Sequence, residues 1–328
     1  MKILVLTMKA RVERFTDFDV LPSDWEFVWS DYNKSVEQLL EDGGDAEAIL
    51  VDAIGRVPAE LIERMPNLQI IHSEGVGYEG IDLEAARRRN IYVCNNKGVN
   101  SKAVAEQAVL LMLAVLKKTI AGHRLVLEGK QLETNAGWCM AGIPELGDKT
   151  VGIIGMGDIG RATTRLVEAF GCDVIYYGRH RLPIEEEEKL EVTYCNLQEL
   201  LAKSDIVSLH LASTPETQNF MNRERFAQMK PGAVLINTAR GEVVDNQALL
   251  DALAAGQLSG AGLDTIAPEP VQKDNILLCA PPEILDKITI SPHIGGLTEP
   301  VFMNIYKTIW SNIAAAVNGE TPINVVNR

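Results

Sequence analysis

Three stretches in the second half of the chain each bring one polar side chain to the end of an apolar run. Val234-Leu235-Ile236-Asn237-Thr238-Ala239-Arg240-Gly241 ends on an arginine, Gly262 to Pro270 carries Glu269, and Ile288 to Gly296 carries His293. A guanidinium clasps a carboxylate with a planar fork, an imidazolium delivers a proton, and a carboxylate can hold an imidazole in place. Singly, each has a plain alternative: a surface salt-bridge partner, a loop carboxylate, a hydrogen-bonded structural histidine. Upstream, the apolar run Thr150 to Ile154 leads directly into Gly155-Met156-Gly157-Asp158-Ile159-Gly160, a G-x-G-x-x-G spacing between strand and helix. In such a turn Gly155 permits the tight reversal, Gly157 lets backbone approach a pyrophosphate, and Gly160 lets helix pack on strand. The helix N-terminus adds free N–H groups and a partial positive charge, so the spacing points to a bound dinucleotide.

The next apolar run ends Tyr176-Tyr177-Gly178-Arg179-His180-Arg181. An acidic residue at this place would hold the ribose 2′-hydroxyl of NAD. Gly178 stands there with cationic neighbours, and a guanidinium can clasp a 2′-phosphate. The expected cofactor is therefore NADPH, read by Arg179 and Arg181. NAD stays open as the alternative, because a glutamate from the run Glu185 to Glu188 could fold back toward the ribose.

The elements that must position these groups alternate. Strands are expected at 2–7, 26–29, 47–51, 69–72 and 91–93, then at 150–154, 173–177, 206–209, 233–236, 259–263 and 288–290. They are rich in Val, Ile and Leu and mostly unalternating, as strands buried on both faces are. Helical patterns lie between them, at 35–41, 58–64, 82–89, 158–170, 197–203 and 245–255. Strand then helix, repeated, predicts α/β architecture with parallel doubly wound sheets. Two longer helices, 101–118 and 299–318, break the rhythm and are expected to be the crossings between two domains. The segment 130–148, with Gly137, Gly142, Pro144 and Gly147, reads as irregular. The expected division is a discontinuous substrate-binding domain, 1–99 plus 296–328, with a dinucleotide-binding domain, 100–295, inserted in it.

Composition excludes other classes. The chain has 328 residues, with 31 Lys and Arg against 45 Asp and Glu, a formal net charge of -14. No basic stripe of the kind a nucleic-acid binder needs is visible. Arg87-Arg88-Arg89 follows Asp82 and Glu84 and reads as a solvated helix face. Cys94, Cys139, Cys172, Cys195 and Cys279 show no zinc spacing and read as small buried thiols, so no metal is expected. The opening apolar run is too short for a signal peptide, and Ala103 to Leu116 carries Glu106 and Gln107 and cannot span a bilayer. A soluble, cytoplasmic protein without nucleic-acid or membrane partners is expected.

Taken together and in order, the motifs resemble the D-isomer-specific 2-hydroxyacid dehydrogenase family over essentially the whole chain. They are Gly75-Val76-Gly77-Tyr78, Gly98-Val99-Asn100 leading to Val104-Ala105-Glu106, the glycine fingerprint, His210, Asn237 to Gly241, Val244-Asp245, Glu269-Pro270 and Ser291 to Gly296. The resemblance implies a flavodoxin-like substrate domain around a Rossmann domain, and hydride transfer between NAD(P)H and C2 of a small 2-oxo acid. It implies Arg240, Glu269 and His293 as the catalytic set. Arg240 would grip the substrate carboxylate and polarise the carbonyl, His293 would protonate the carbonyl oxygen, and Glu269 would favour the charged imidazole. Val76 and Gly77 would offer backbone N–H groups to the carboxylate from the other domain, with Asn100 also lining the substrate. Asp264 would hold the nicotinamide amide. Asp158, Ile159, His210, Thr217, Thr238, Ala239 and Gly295 complete the implied cofactor contacts, together with Arg240 and His293.

The expected substrates are glyoxylate and hydroxypyruvate. A D-lactate, phosphoglycerate or formate dehydrogenase of the same fold, or a dinucleotide-sensing binding protein, are the alternatives. Arg56 is a weak candidate for a second anionic group. A homodimer is expected through the helix 101–118, which is apolar nearly all round. Hinges are expected near Asn100 and Gly295-Gly296, closing the site over substrate. Two places depart from the family pattern: Ala212 stands where a proline is frequent, which leaves the cofactor contacts of loop 211–217 open, and 271–287 matches no known pattern.

Overall fold

The computed structural model describes residues 1–328. The chain opens with β1 (Lys2–Leu6), α1 (Lys9–Phe15), β2 (Glu26–Trp29), α2 (Val36–Gly43), β3 (Ala48–Val51), α3 (Ala59–Arg64), β4 (Ile70–Ser73), α4 (Leu83–Arg88) and β5 (Tyr92–Cys94). Three helices follow, α5 (Ser101–Leu116), α6 (Thr119–Leu127) and α7 (Gln131–Ala141), then β6 (Thr150–Ile154), α8 (Asp158–Ala169), β7 (Asp173–Tyr177), α9 (Ile184–Lys189) and β8 (Thr193–Tyr194). The remainder is α10 (Leu197–Lys203), β9 (Ile206–Leu209), α11 (Arg223–Gln228), β10 (Ala233–Asn237), α12 (Asn246–Ala254), β11 (Leu258–Leu263), α13 (Pro282–Leu285), β12 (Ile288–Ile290) and α14 (Glu299–Val317). The chain divides into two compact units, one of residues 1–99 with 297–328 and one of 100–296.

The first unit is built on a five-stranded sheet in the order β2-β1-β3-β4-β5, every pair parallel. All residues of β3 and β4 are buried, which is why these strands carry no polar alternation. On one face Leu4, Ile49 and Ile71 meet Leu61, Ile62 and Ala85. The late helix α14 also belongs to this unit and buries Val301, Ile305, Tyr306, Ile309, Trp310 and Ile313. The last residues close the β5 edge. Val325 bridges Cys94 antiparallel, Val326 N–H donates to Val93 O at 2.8 Å, and the Asn327 side chain pairs with Val93 N–H and Ile91 O.

The second unit carries a seven-stranded parallel sheet in the order β12-β11-β10-β9-β6-β7-β8, which reverses direction of travel at β6 and β9. Helix α5 lies across its middle and packs on α8, β10 and β11. A Cβ on Gly260 would stand 2.5 Å from Val115, and one on Gly262 2.8 Å from Leu111, so two glycines on β11 let this helix sit against the sheet. Helix α5 buries Ala105, Ala108, Leu111 and Met112 within its own unit, and among its large apolar side chains Leu110 is exposed. The helix ends at Leu116, two residues before the expected bound, and Lys118 takes a left-handed φ of 52°.

The segment 130–148, read as irregular, contains α7. Gly137 sits inside the helix with no atom within 4 Å of a built Cβ, and Gly142, at φ 77°, ends it. Segment 271–287 folds its Leu277, Ala280 and Ile284 into the core of the second unit. Cys94, Cys172 and Cys195 are buried thiols, whereas Cys139 and Cys279 are exposed, against expectation. No helix is long and apolar enough to cross a membrane.

His72 on β4 is fully buried, with Nδ1–H donating to Ser73 O at 2.8 Å and Nε2 accepting from Asn312 Nδ2 at 3.0 Å. Burial pushes its pKa down to about 4. The unfolded chain takes up this proton near pH 6.5 and the folded chain does not. Stability contributed by the neutral ring is therefore complete above about pH 6.5 and falls toward pH 4, by about 3 kcal/mol at 1.4 kcal/mol per unit. Urea unfolding followed by circular dichroism between pH 7 and 4.5 tests this. The His72→Gln variant should show a flatter pH dependence than wild type, and parallel profiles would refute the assignment.

Candidate active site

The loop between β6 and α8 matches the roles its glycines suggest. Gly155 has φ 100°, and a Cβ there would stand 2.3 Å from His210 O. A Cβ on Gly160 would meet Gly155 O at 2.2 Å. Gly157 faces open space, with nothing within 4 Å of a built Cβ, and no side chain caps the α8 N-terminus behind it. Asp158 and Ile159 form the first turn of that helix. The open cradle, the uncapped amides and two buried atoms without partners, His210 Nδ1 and Thr238 Oγ1, fit a polar, anionic dinucleotide. His210 Nε2 lies 2.9 Å from Ser208 Oγ, and burial lowers its pKa to about 4, so its ring is neutral. The Thr217 hydroxyl is engaged within its own loop, donating to Ala212 O at 2.7 Å and accepting from Thr214 N–H.

Beyond β7 the two arginines separate. Arg181 lays Nε and Nη2 on the Glu187 carboxylate at 2.9 and 2.7 Å, and the Tyr176 hydroxyl donates to Glu187 at 2.6 Å while accepting from Leu182 N–H. Arg181 first, and then Tyr176, hold the Glu187 carboxyl below the usual range. Glu186 pairs with Arg161 of α8 at 2.7 Å. Arg179 is exposed and has no carboxylate on its guanidinium, although Glu216 feels its charge. The acidic run is thus turned onto Arg161 and Arg181.

Arg240, Glu269 and His293 follow β10, β11 and β12, three neighbouring parallel strands. The His293 Nδ1 atom lies 2.9 and 3.0 Å from the two Glu269 oxygens, and its Nε2 has no partner. Both side chains are partly exposed, His293 at 47% and Glu269 at 38%. Arg240 is exposed and gives only Nη1 to Ala239 O at 2.8 Å, leaving most of its fork free. Its turn rests on the segment leading to Glu269: a Cβ on Gly241 would stand 2.1 Å from Ala267 N, and Asn246 and Asn275 both donate to Ala267 O.

Asp264 is the centre of a hydrogen-bonded turn. Its buried carboxylate accepts from Ser291 Oγ at 2.6 Å, Ile294 N–H at 3.0 Å and Gly295 N–H at 2.9 Å, while its carbonyl accepts from His293 N–H. Gln107 on α5 donates to Ser291 Oγ. His293 is left-handed, at φ 54°, so this clamp fixes the turn that presents the imidazole. The sequence reading gave Ser291 and Gln107 no role: Ser291 opens the motif that carries His293, but Gln107 carries no local signal. Ala239 is buried with its N–H on Asn237 Oδ1, and Asn100 begins α5 beside Gly296.

Within the first unit, Val76 and Gly77 lie in the loop after β4. Its carbonyls are all taken: Ser73 and Glu74 by Asn96 Nδ2, Gly75 by Asn96 N–H, Val76 by Asn95 Nδ2 at 2.7 Å and Gly77 by Ser73 Oγ at 2.5 Å. The Val76 and Gly77 N–H groups have no acceptor. Arg56, in the loop after β3, is exposed and in no ion pair.

Residues 109–295 match the family described as D-isomer specific 2-hydroxyacid dehydrogenase, NAD binding domain. A glyoxylate reductase of Thermococcus litoralis is 37% identical over 292 residues, 88% of this chain and 86% of that protein. A structure of D-2-hydroxyisocaproate dehydrogenase superposes with a TM-score of 0.85 at 25% identity, covering all of both chains. D-lactate dehydrogenase with NAD+ from Lactobacillus jensenii superposes with a TM-score of 0.83 at 26% identity, again over both whole chains.

The glycine geometry separates two substitutions. Gly160→Ala should destabilise the fold by about 1–3 kcal/mol through overpacking. Gly157→Ala should melt like wild type yet weaken dinucleotide binding about tenfold or more, about 1.4 kcal/mol. Thermal melts and nicotinamide fluorescence titration check both, and undiminished binding by Gly157→Ala would contradict the cradle.

Proposed function

Because this chain belongs to the D-isomer-specific 2-hydroxyacid dehydrogenase family, we propose that it reduces a small 2-oxo acid, glyoxylate or hydroxypyruvate, with NADPH. It is an oxidoreductase acting on the CH–OH group of 2-hydroxy acids, and it takes a nicotinamide dinucleotide. The observation that carries the reading is the His293–Glu269 pair, which leaves Nε2 of the imidazole as the one ring nitrogen open to a substrate. The dinucleotide, when bound, supplies the hydride. His293 Nε2–H delivers a proton to the substrate carbonyl oxygen as C2 is reduced, and Glu269 holds the ring by Nδ1 throughout. The free fork of Arg240 is assigned to the substrate carboxylate and the polarised carbonyl, and the Val76 and Gly77 N–H groups to the same carboxylate.

NADPH is favoured by Gly178 standing in place of an acid, by the unpaired Arg179, and by the engagement of Glu186 and Glu187 with arginines. Arg179 is assigned as the reader of the 2′-phosphate. Arg181 shapes the loop through Glu187. Steady-state kinetics with glyoxylate, hydroxypyruvate and pyruvate, each with NADH and NADPH, test the reading. His293→Ala should lower kcat by about 10²-fold or more, the size of a lost general acid. Arg179→Ala should lower kcat/KM for NADPH about tenfold, about 1.4 kcal/mol, and spare NADH. Full turnover by His293→Ala removes the proton donor, and a wild-type preference for NADH removes the phosphate reader.

A homodimer is part of the same proposal, moved from α5 to α6 and α7. These helices expose Ile120, Leu127, Leu132 and Met140, the last two at 86% and 89%. Such a patch is apolar surface without a partner in its own chain. Sedimentation equilibrium should give twice the chain mass of 36.0 kDa. A single-chain mass at micromolar concentration would sink this part.

A further inference from the structure

Behind the Val76–Gly77 loop lies a charged cluster that the reading so far leaves unused. Thr7, Asp52 and Glu74 are the first residues beyond β1, β3 and β4, which are adjacent in the sheet. Arg11, from α1, reaches across all three. Its Nε donates to Glu74 Oε1 at 2.7 Å, and its Nη2 to Asp52 at 2.7 Å, to Thr7 Oγ1 at 2.8 Å and to Glu74 Oε2. The Thr7 hydroxyl donates to Glu74 at 2.5 Å, and the Tyr306 hydroxyl of α14 donates to the other Glu74 oxygen. Burial, with the Glu74 charge adding to it, pushes the Tyr306 phenol far above its usual range, so it remains a donor. Glu74 itself is 4% exposed and immediately precedes the loop.

We propose that Glu74, gripped by Arg11 and Tyr306, is the positioning residue of the Val76–Gly77 amide pair. The proposal rests on the assignment of that pair to the substrate carboxylate. Two physical consequences follow from the geometry. Glu74 N–H is bound to Val51 O at 2.7 Å and its side chain is fixed at both oxygens, so the loop leaves β4 along one path. The loop carbonyls are then fastened by Asn95, Asn96 and Ser73, and the two free N–H groups are left pointing away from protein acceptors. Second, a bare carboxylate two residues before an anion site would repel the anion. Arg11 cancels that charge where it arises, and it has no other carboxylates than Glu74 and Asp52. Arg11 therefore serves the loop without reading the substrate itself.

The full-length enzyme with saturating cofactor supplies the test, with glyoxylate as substrate and oxamate as a non-reducible 2-oxo acid analogue. Arg11→Met should raise the glyoxylate KM and the oxamate inhibition constant about tenfold or more, the effect of about 1.4 kcal/mol. Its kcat should stay within about threefold, and its cofactor dissociation constant should not move. Arg11→Met with Glu74→Gln should regain most of the loss, because the buried carboxylate is gone and only the more exposed Asp52 is left without its arginine. Should Arg11→Met fold poorly, Tyr306→Phe removes one donor only and should raise the same two constants by a smaller factor. A purely structural cluster would lower the melting temperature of these variants with both constants unchanged, and that result overturns the proposal; so does a double variant no better than Arg11→Met. Gly77→Pro removes one amide without touching the cluster. An unchanged oxamate constant in Gly77→Pro defeats the carboxylate assignment, whereas a raised constant there with normal Arg11→Met and Tyr306→Phe defeats the positioning role alone.

Discussion

A single buried carboxylate, that of Asp264, fixes where the His293 imidazole stands. At the end of β11 it gathers a hydroxyl from Ser291 and two backbone N–H groups from residues 294 and 295, and its own carbonyl takes the N–H of His293. Holding a non-glycine residue in the left-handed region costs about 1–2 kcal/mol. Hydrogen bonds to a charged acceptor contribute about 1.5–3 kcal/mol each, so three of them outweigh the turn they enforce. The rest of the site is arranged around this decision. Glu269 needs only to meet Nδ1, and the arginine turn is located by contact with residues 266 and 267. Gln107 carries the clamp back to the central helix, which in turn depends on the missing side chains of Gly260 and Gly262.

The molecule is acidic, with a formal net charge of -14, yet the groups proposed to meet an anion are arginines and backbone N–H groups. Arg240 and Arg179 are without carboxylates, α8 presents uncapped amides, and residues 76 and 77 present two more. Charges separated by more than about 10 Å in solvent are largely screened at ordinary ionic strength. The overall sign therefore bears on solubility, and the local field at any one group is set by the charges closest to it. Glu187 is the instructive case. It sits in a run of four glutamates after β7, and it is turned inward, onto Arg181 and Tyr176, so that the same sequence feature which suggested competition with a phosphate becomes a support for the loop.

Most of the strands and the glycine turn were legible because their signals are local. An unalternating Val, Ile and Leu run, or a glycine at a fixed distance from a strand, depends on a few neighbouring residues, and the eleven strand expectations fall within a residue or two of the observed bounds. The pairing of His293 with Glu269 was reached through the family resemblance, since nothing in the chain between these residues, 24 positions apart, announces a contact. What stayed hidden depends on residues far apart. Gln107 and Ser291 are 184 positions apart, and Tyr306 and Glu74 are 232 apart. Helix α7 was hidden for a different reason: Leu132 and Met140 point to solvent, so the helix has no buried stripe for periodicity to reveal.

The tail that seals the β5 edge has a temporal meaning as well as a spatial one. During synthesis, residues 100–296 are a continuous stretch and can complete their own sheet as soon as they emerge. The preceding ninety-nine cannot, because the helix that covers β4 and the strand-like residues 325–327 are made only after residues 100–296. The part of the chain translated first is thus finished after the part translated second. Until then it carries an open sheet edge and an uncovered apolar face, the features that invite association between nascent chains. Asn312 and Asn327, which bolt the tail to His72, Ile323, Ile91 and Val93, are the fasteners of that final step.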